Sequence, residues 1–569
     1  MKTAWGKTLD QSNVLPEYPR PQMERASYFN LNGMWRYAIT ESDTPPDHFD
    51  GDILVPFSPE SELSGVGRSL SPSQTLWYMQ IFHLPQDFNI GRVLLHFGAV
   101  DQVATVYVNG TEVCSHVGGY TPFSTDITST LREENTILVR VRDFSDTSFH
   151  SRGKQKSRRG GIWYTAQSGI WQTVWIENVP MEYISALRIT PLFDESAVEL
   201  TVLSEGTRQC CAFTDDHKIT FSTNKPAKLF LPSFIPWTPE QPYLYDLKVT
   251  MGKDCVKSYF GMRKFSVEPD DRGIKRLFLN NRPYFHNGLL DQGYYSDGMY
   301  TAPSDQAMIF DIRTAREMGF NMLRKHIKVE PLRWYYHCDR IGMLVWQDMV
   351  NGGGDYRPMT IASPLVTGIH FRDHHYKLFA RDNEEGRKQY YRELEDMIRH
   401  LYNAVSIALW VPFNEGWGQF DAKEAVRLIR ELDATRTIDH ASGWHDQFIG
   451  DIKSLHVYFK KFRFNPDRLG RAVVLSEFGG YNCRVDGHCF NKRDFGYRRF
   501  ETTEALLNAY SKLYENEILP AKKQGLSAAV YTQLTDVEDE LNGLITYDRE
   551  VVKLPVDQIR QINERIGNI

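Results

Sequence analysis

Through about residue 178, apolar positions come in short β-branched runs separated by turn residues. Residues 93–97, 104–108 and 137–141 are such runs, and 171–176 alternate with period two. Helix-period stretches are nearly absent, so residues 1–178 read as an antiparallel sandwich of the jelly-roll kind. The pattern continues at 186–189, 197–202, 229–231 and 245–249. A piece of this length and content, 179–267, predicts a small immunoglobulin-like β-sandwich.

After about residue 270 the rhythm changes. A strand-like stretch at 321–327 precedes a helical one at 331–338, and a second strand at 343–348 leads into a long insert, 350–382. Helical spacing returns at 393–401, an apolar run at 406–413, and period 3.6 at 424–430. Two buried-type strands, 472–476 and 526–531, come before a closing helix at 556–562. Apolar strands alternating with amphipathic helices predict a parallel sheet covered on both faces. Over about 300 residues, here 268–569, the repeat favours a (β/α)8 TIM barrel. No GxGxxG or P-loop element follows a strand, which removes the usual nucleotide readings.

Composition narrows the picture. The chain has 569 residues, 41% hydrophobic and 24% charged, with Lys plus Arg 66 against Asp plus Glu 72 and a formal charge of −6. No basic patch dominates, so neither nucleic acid nor a membrane surface is expected as a partner. No stretch approaches 18 consecutive apolar residues, and Met1-Lys2-Thr3-Ala4-Trp5 has no apolar segment behind its lysine, so a cytoplasmic protein is expected. Seven cysteines without CxxC spacing suit reduced thiols. Asn109-Gly110-Thr111 fits a glycosylation pattern but reads as a hairpin turn between β-branched runs.

Chemistry in such a barrel sits at the carboxyl ends of strands. Three apolar runs end in carboxylates: Asn414-Glu415-Gly416, Ser476-Glu477-Phe478 and Trp346-Gln347-Asp348. A carboxylate aimed into a closed mouth is costly to desolvate unless it is paired or used. Singly, each suits a structural ion pair. Two Glu on separate strand ends point to paired-carboxylate chemistry, of which glycoside hydrolysis is the best-known use.

With these stretches, the sequence resembles glycoside hydrolase family 2, the β-galactosidase, β-glucuronidase and β-mannosidase group. The likeness runs from Tyr18-Pro19-Arg20-Pro21 and Asn32-Gly33-Met34-Trp35, through Ser168-Gly169-Ile170-Trp171-Gln172, to Asn414-Glu415-Gly416 and Ser476-Glu477-Phe478-Gly479. The resemblance implies an exo-acting, retaining β-glycosidase that needs no metal or organic cofactor. In it Glu415 is the general acid/base, Glu477 the nucleophile, and Asn414 a ligand of the sugar's 2-hydroxyl. Charge on Glu477 is expected to raise the pKa of Glu415. Tyr458 matches a family Tyr that touches the nucleophile, and Arg324 is expected to brace it. Trp417 and Trp444 are candidate stacking platforms, with core packing the plainer alternative. His326, Lys328, Asp348, Asn351, His445 and Asp446, near strand ends, are candidate hydroxyl readers; a surface salt bridge is the plainer reading of the last two.

Departures from the family blur the sugar. Lys325-His326-Ile327-Lys328 stands where Ser-His-Tyr-Pro is usual, and no Asn-x-Lys occurs to grip a glucuronate, leaving Lys328 or Arg484 as replacements. Trp346-Gln347-Asp348-Met349 is mannosidase-like, while the loop from Asp291 is galactosidase-like. β-Galactoside leads narrowly, ahead of glucuronide and mannoside. The insert 350–382 and the loop Arg152-Gly153-Lys154-Gln155 are expected to wall the pocket. A silent carbohydrate-binding protein and a transglycosylase are the rival readings, and a homo-oligomer is compatible with either.

Overall fold

A computed structural model describes residues 1–215 and 217–566. The jelly roll pairs a six-stranded sheet, running from Gly51–Val55 at one edge to Thr111–Val117 at the other, with a four-stranded sheet built around Val174–Val179 and Arg92–Phe97. Alternation along Asn135–Arg142 buries every second residue, placing Ile137, Val139 and Val141 against Trp35, Tyr78 and Ile176. Asn109 and Gly110 both adopt positive φ, +52° and +84°, between paired strands 103–108 and 111–117. That is the type I′ turn an Asn-Gly pair favours. The run at 171–176 is only partly a strand: regular pairing begins at Val174, because the Trp171 N–H turns aside to Ala99 O at 3.3 Å.

The second sandwich sets three strands (Ile184–Leu192, Ala197–Ser204, Ala227–Phe230) against four (His217–Ser222, Gln209–Thr214, Tyr245–Met251, Asp254–Phe260). Its core is aliphatic, around Ile189, Leu200, Val249 and Val256. A small three-stranded sheet from Phe265 to Pro283 then plugs the barrel's lower end. Phe265, Leu277 and Leu279 pack there with Ile452, Val474 and Ala528.

The barrel strands are β1 (His286–Asp291), β2 (Met322–Lys325), β3 (Leu344–Asp348), β4 (Ile407–Val411), β5 (Thr437–Ile438), β6 (Ile452–Val457), β7 (Ala472–Gly479) and β8 (Ala528–Thr532). All pair in parallel in one eight-stranded sheet, with β8 lying between β1 and β7. The ladder is open only between β5 and β6, where Asp451 N donates to Ile438 O at 3.0 Å and Ile438 N donates back to Asp451 Oδ2 at 2.8 Å. Helices cover the outside. α1 (Asp305–Glu317) follows β1, α2 (Leu332–Ile341) follows β2, and α3 (Glu384–Leu401) follows the insert. Asn383 caps α3 by accepting from Gly386 N, Glu384 and Glu385 suit its positive end, and Tyr390, Leu394, Met397, Ile398 and Leu401 form the stripe it buries. Among the described residues no helix is long and apolar enough to cross a membrane. All seven cysteines are free.

Candidate active site

β4 runs apolar to Val411 and then turns sharply. Asn414 bridges to Ser442 after β5, and Glu415 N donates to Ser442 O at 2.9 Å. Glu415 itself sits at φ +51°, a left-handed conformation that is strained for a residue with a Cβ and aims the carboxyl into the barrel mouth. Glu477 arrives from β7, fully inside the strand, and both carboxyls are nearly buried. Their nearest oxygens, with a ring nitrogen of His456, all lie within 4.8 Å of one another.

Each carboxyl is tethered differently. Glu477 Oε1 accepts from Arg324 Nη1 at 3.1 Å, and Oε2 accepts from the Tyr458 hydroxyl. Arg324 is wholly buried and reaches β3, β7 and the turn after β4. Its Nε and Nη2 grip both oxygens of Asp348 at 3.0 Å, Nη2 also donates to Asn414 Oδ1 at 2.7 Å, and Nη1 donates to Ser476 O at 3.2 Å. A fork of fixed geometry suits this bracing task better than a lysine would. Glu415 Oε1 pairs with His456 Nδ1 at 2.8 Å, while Oε2 accepts from Trp417 Nε1 at 3.1 Å. The other His456 nitrogen lies 3.2 Å from Ser442 Oγ and 3.6 Å from Glu477 Oε1. His456 therefore links the two carboxylates.

Burial pushes the Glu415 carboxyl up, but the His456 hydrogen bond and charge, the Trp417 N–H and the Lys154 charge outweigh it and hold it below the ordinary glutamate value. This is opposite to the rise expected from Glu477. The reason is geometric: His456 stands between the two acids and bonds directly to Glu415.

The other candidates divide sharply. Asp348 braces Arg324 through both oxygens and accepts from His326 Nδ1 at 2.7 Å. Burial, with Lys154 and Arg324 nearby, drives His326 well below the ordinary histidine value. Lys328 points away from the mouth, donating to Gly293 O, Tyr300 O and Glu330 at 2.6–2.9 Å, and burial lowers it to about 8. Arg484 pairs with Asp486. Neither cation takes up the role of a sugar-carboxylate grip. His445 is buried and holds the insert instead, through Thr360 O, Ile361 O and Phe371 N. Asp446 is locked to Arg471. Trp417 and Trp444 do line the mouth, a cavity of about 380 Å³ that also takes in Glu415, His456 and Tyr458. Asn351 is buried with both side-chain amide atoms unpartnered among the described residues.

The backbone of Asn351 explains how the jelly roll reaches the site. Its carbonyl accepts from Arg152 N and Gly153 N at 2.9 and 3.1 Å. Gly153 has φ +65°, and a Cβ there would meet Ile327 O and the Tyr300 hydroxyl at 3.0 Å. Only glycine lets the loop lie this close. Lys154 comes next. It forms no ion pair among the described residues, yet its charge bears on Glu415, Asp348 and His326. Sequence reasoning missed His456 and the Lys154 side chain. The signal for His456 was parity: two residues before Tyr458 on a strand, it shares that residue's face. Lys154 left no such signal, because its partners lie about 200 residues away.

Glu415, His456 and Glu477 together offer donors spaced to suit a divalent ion, although Arg324 and the Trp417 N–H already address both carboxyls. His488, Asp548 and Glu550 form a second such group, remote from the barrel mouth in sequence and partly exposed.

Comparison with known proteins agrees with this layout. The chain is 25% identical over 391 residues to a β-galactosidase of Thermoanaerobacter pseudethanolicus, covering 63% of this chain and 47% of that one. It is 21% identical over 450 residues to a β-glucuronidase of Streptococcus agalactiae, covering 73% and 72%. The chain thus spans less than half the length of some curated relatives it matches. A solved β-D-glucuronidase from Dictyoglomus thermophilum superposes with a TM-score of 0.75 at 17% identity, over 97% of this chain and 99% of that one, which speaks for the fold. Residues 68–180 match the glycosyl hydrolases family 2 sugar binding domain, 183–263 the family's middle domain, and 273–469 its TIM barrel domain. With the three models in sequence along jelly roll, sandwich and barrel, the chain belongs to glycoside hydrolase family 2.

Proposed function

We propose that the chain is a retaining exo-β-glycosidase. The observation that carries this reading is the approach of Glu415 and Glu477 within 4.8 Å at the barrel mouth, each held by different donors. Carboxyls about 5–5.5 Å apart suit double displacement, whereas about 6.5–9.5 Å leaves room for an inverting water. In the first step a Glu477 oxygen bonds to the anomeric carbon as the bond to the leaving oxygen breaks. Glu415 gives that oxygen its proton. In the second, water gives a proton to Glu415 and its oxygen to the same carbon, releasing Glu477 and restoring the β configuration. The proton that Glu415 donates lies within reach of His456 Nδ1, 2.8 Å from Oε1. Asn414 Oδ1 is occupied by Arg324, which leaves the amide nitrogen to donate to the sugar's 2-hydroxyl. Exo action is supported by the jelly-roll loop and the insert, which close around the mouth.

For the sugar, β-galactoside is the reading taken from the sequence, and relatives named as galactosidases and glucuronidases stand on either side of it. One observation favours a uronide as second reading: the Lys154 ammonium forms no ion pair among the described residues, while its charge bears on Glu415 and His326, so a sugar carboxylate would supply it a counter-charge. The test is initial-rate hydrolysis of aryl β-galactoside, glucoside, mannoside, glucuronide and galacturonide by wild type, Glu477→Gln and Lys154→Ala. Turnover that vanishes in Glu477→Gln supports the reaction. A uronide preference that falls at least about tenfold in Lys154→Ala selects the uronide. Intact substrates throughout, with folded protein, would leave a binding protein.

A further inference from the structure

The side of the mouth that Glu415 faces is built largely from rings. Glu415, the group that hands its proton to the departing oxygen, opens onto Trp163, Trp417 and Trp444, with Phe459 and Phe495 on the far lip. Trp163 belongs to the jelly-roll loop and is braced by its neighbours. Its ring stacks on Tyr356 at 5.8 Å and meets Trp417 edge-on at 5.2 Å. Across the gap, Tyr497 stacks on Tyr458 at 3.7 Å and carries Phe459 at 5.6 Å. For the several hydroxyls of a second sugar the side chains here offer little beyond the Trp163 and Trp444 N–H groups, the Tyr497 hydroxyl and the Glu415 carboxyl. The Tyr458 hydroxyl is already committed to Glu477, and the Trp417 N–H to Glu415.

The apolar surface continues outward. Leu365 lines the same cavity, and on the insert beside it Met359 and Val366 are 87% and 77% exposed; Phe459 is 69% exposed. Apolar surface rimming a cleft is the form that ligand-binding grooves take. Slots between rings favour flat guests, which stack or meet edge-on at centroid distances of about 4.5–7 Å.

Resting on the glycosidase reading above, we infer that this wall is a binding site for a flat apolar aglycone, a phenolic or polycyclic alcohol, and not for a second sugar. Hydrolysis then releases the free sugar and the phenol, whose oxygen leaves with the Glu415 proton.

Two measurements test this. The first compares kcat/KM for the 2-naphthyl, methyl and disaccharide β-glycosides of whichever sugar the wild type accepts, in wild type, Trp163→Ala and Phe459→Ala. Taking the naphthyl-to-methyl ratio within each variant cancels the intrinsic reactivity of the leaving group. The ratio is expected to fall about tenfold in Trp163→Ala, the scale of losing one aromatic anchor, and several-fold in Phe459→Ala, whose exposed side chain is not needed for folding. The second titrates 2-naphthol into Glu415→Gln and follows quenching of tryptophan fluorescence, with binding expected and weakened by the added Trp163→Ala. Ratios unchanged in both variants, preference for the disaccharide, or no naphthol binding overturns the inference. Absence of turnover with every glycoside sinks the glycosidase reading itself, and the naphthol titration then still decides whether the wall binds flat apolar rings.

Discussion

At the scale of single residues, the two strand-end carboxylates were legible because an apolar run that ends in Asn-Glu or Ser-Glu has no core reason to do so. Their environment was not. The direction of the Glu415 shift depends on His456, 41 residues further on, which no local pattern pairs with it. Because His456 holds the carboxyl down, the acid form is lost at lower pH than for an ordinary glutamate. In His456→Asn the alkaline limb of the kcat/KM–pH profile is therefore expected to move to higher pH, with kcat falling about tenfold as Glu477 also loses its neighbour. A pH–rate series on wild type and variant checks the sign; an unmoved or lowered limb would contradict the assignment. Tyr458→Phe removes one of two donors to Glu477 while keeping the ring stack on Tyr497. It is expected to cost about 1.5–3 kcal/mol of transition-state stabilisation, read from kcat/KM, with little change in Tm.

At the scale of elements, the barrel rhythm was readable wherever a strand was long and apolar. β5 escaped because it is two residues, Thr437–Ile438, too short to show any period. The run at 171–176 misled in the other direction, since alternation alone cannot tell that Trp171 leaves the ladder. The loop holding Gly153 is another element whose role is set by distant contacts. Gly153→Ala places a methyl against Ile327 O and demands a strained positive φ, so it is expected to cost about 1–2 kcal/mol and to raise KM as Lys154 and Asn351 lose register. Denaturant melts beside steady-state kinetics separate the two effects. At the start of α1, burial raises Asp305, but hydrogen bonds and charge from Arg333 and His337 win and lower it to about 2. A carboxyl depressed on folding contributes stability that is present above about pH 4 and lost as pH falls toward 2. Asp305→Asn is accordingly expected to lose about 2 kcal/mol at pH 7 and nearly nothing at pH 2, where a flat difference would speak against the pair.

At the scale of the whole molecule, the fold class followed from three stretches with three different periods, and the mouth is where those stretches meet. The jelly roll supplies Trp163 and Lys154, the insert supplies Leu365 and Tyr356, and the barrel supplies the carboxylates. Sequence pattern speaks for each stretch separately, so the domain order and the paired carboxylates were legible, while the mouth, which is assembled between stretches, was not. The proposed double displacement requires that Glu477 form a bond to the sugar. Incubation with a 2-deoxy-2-fluoro β-glycoside of the accepted sugar, carrying a good leaving group, slows the second step more than it slows the first. Peptide mass mapping is then expected to show one fluoroglycosyl group on the peptide containing Glu477, and none in Glu477→Gln. A label on another residue, or hydrolysis that gives the α-anomer first with no label at all, would contradict it.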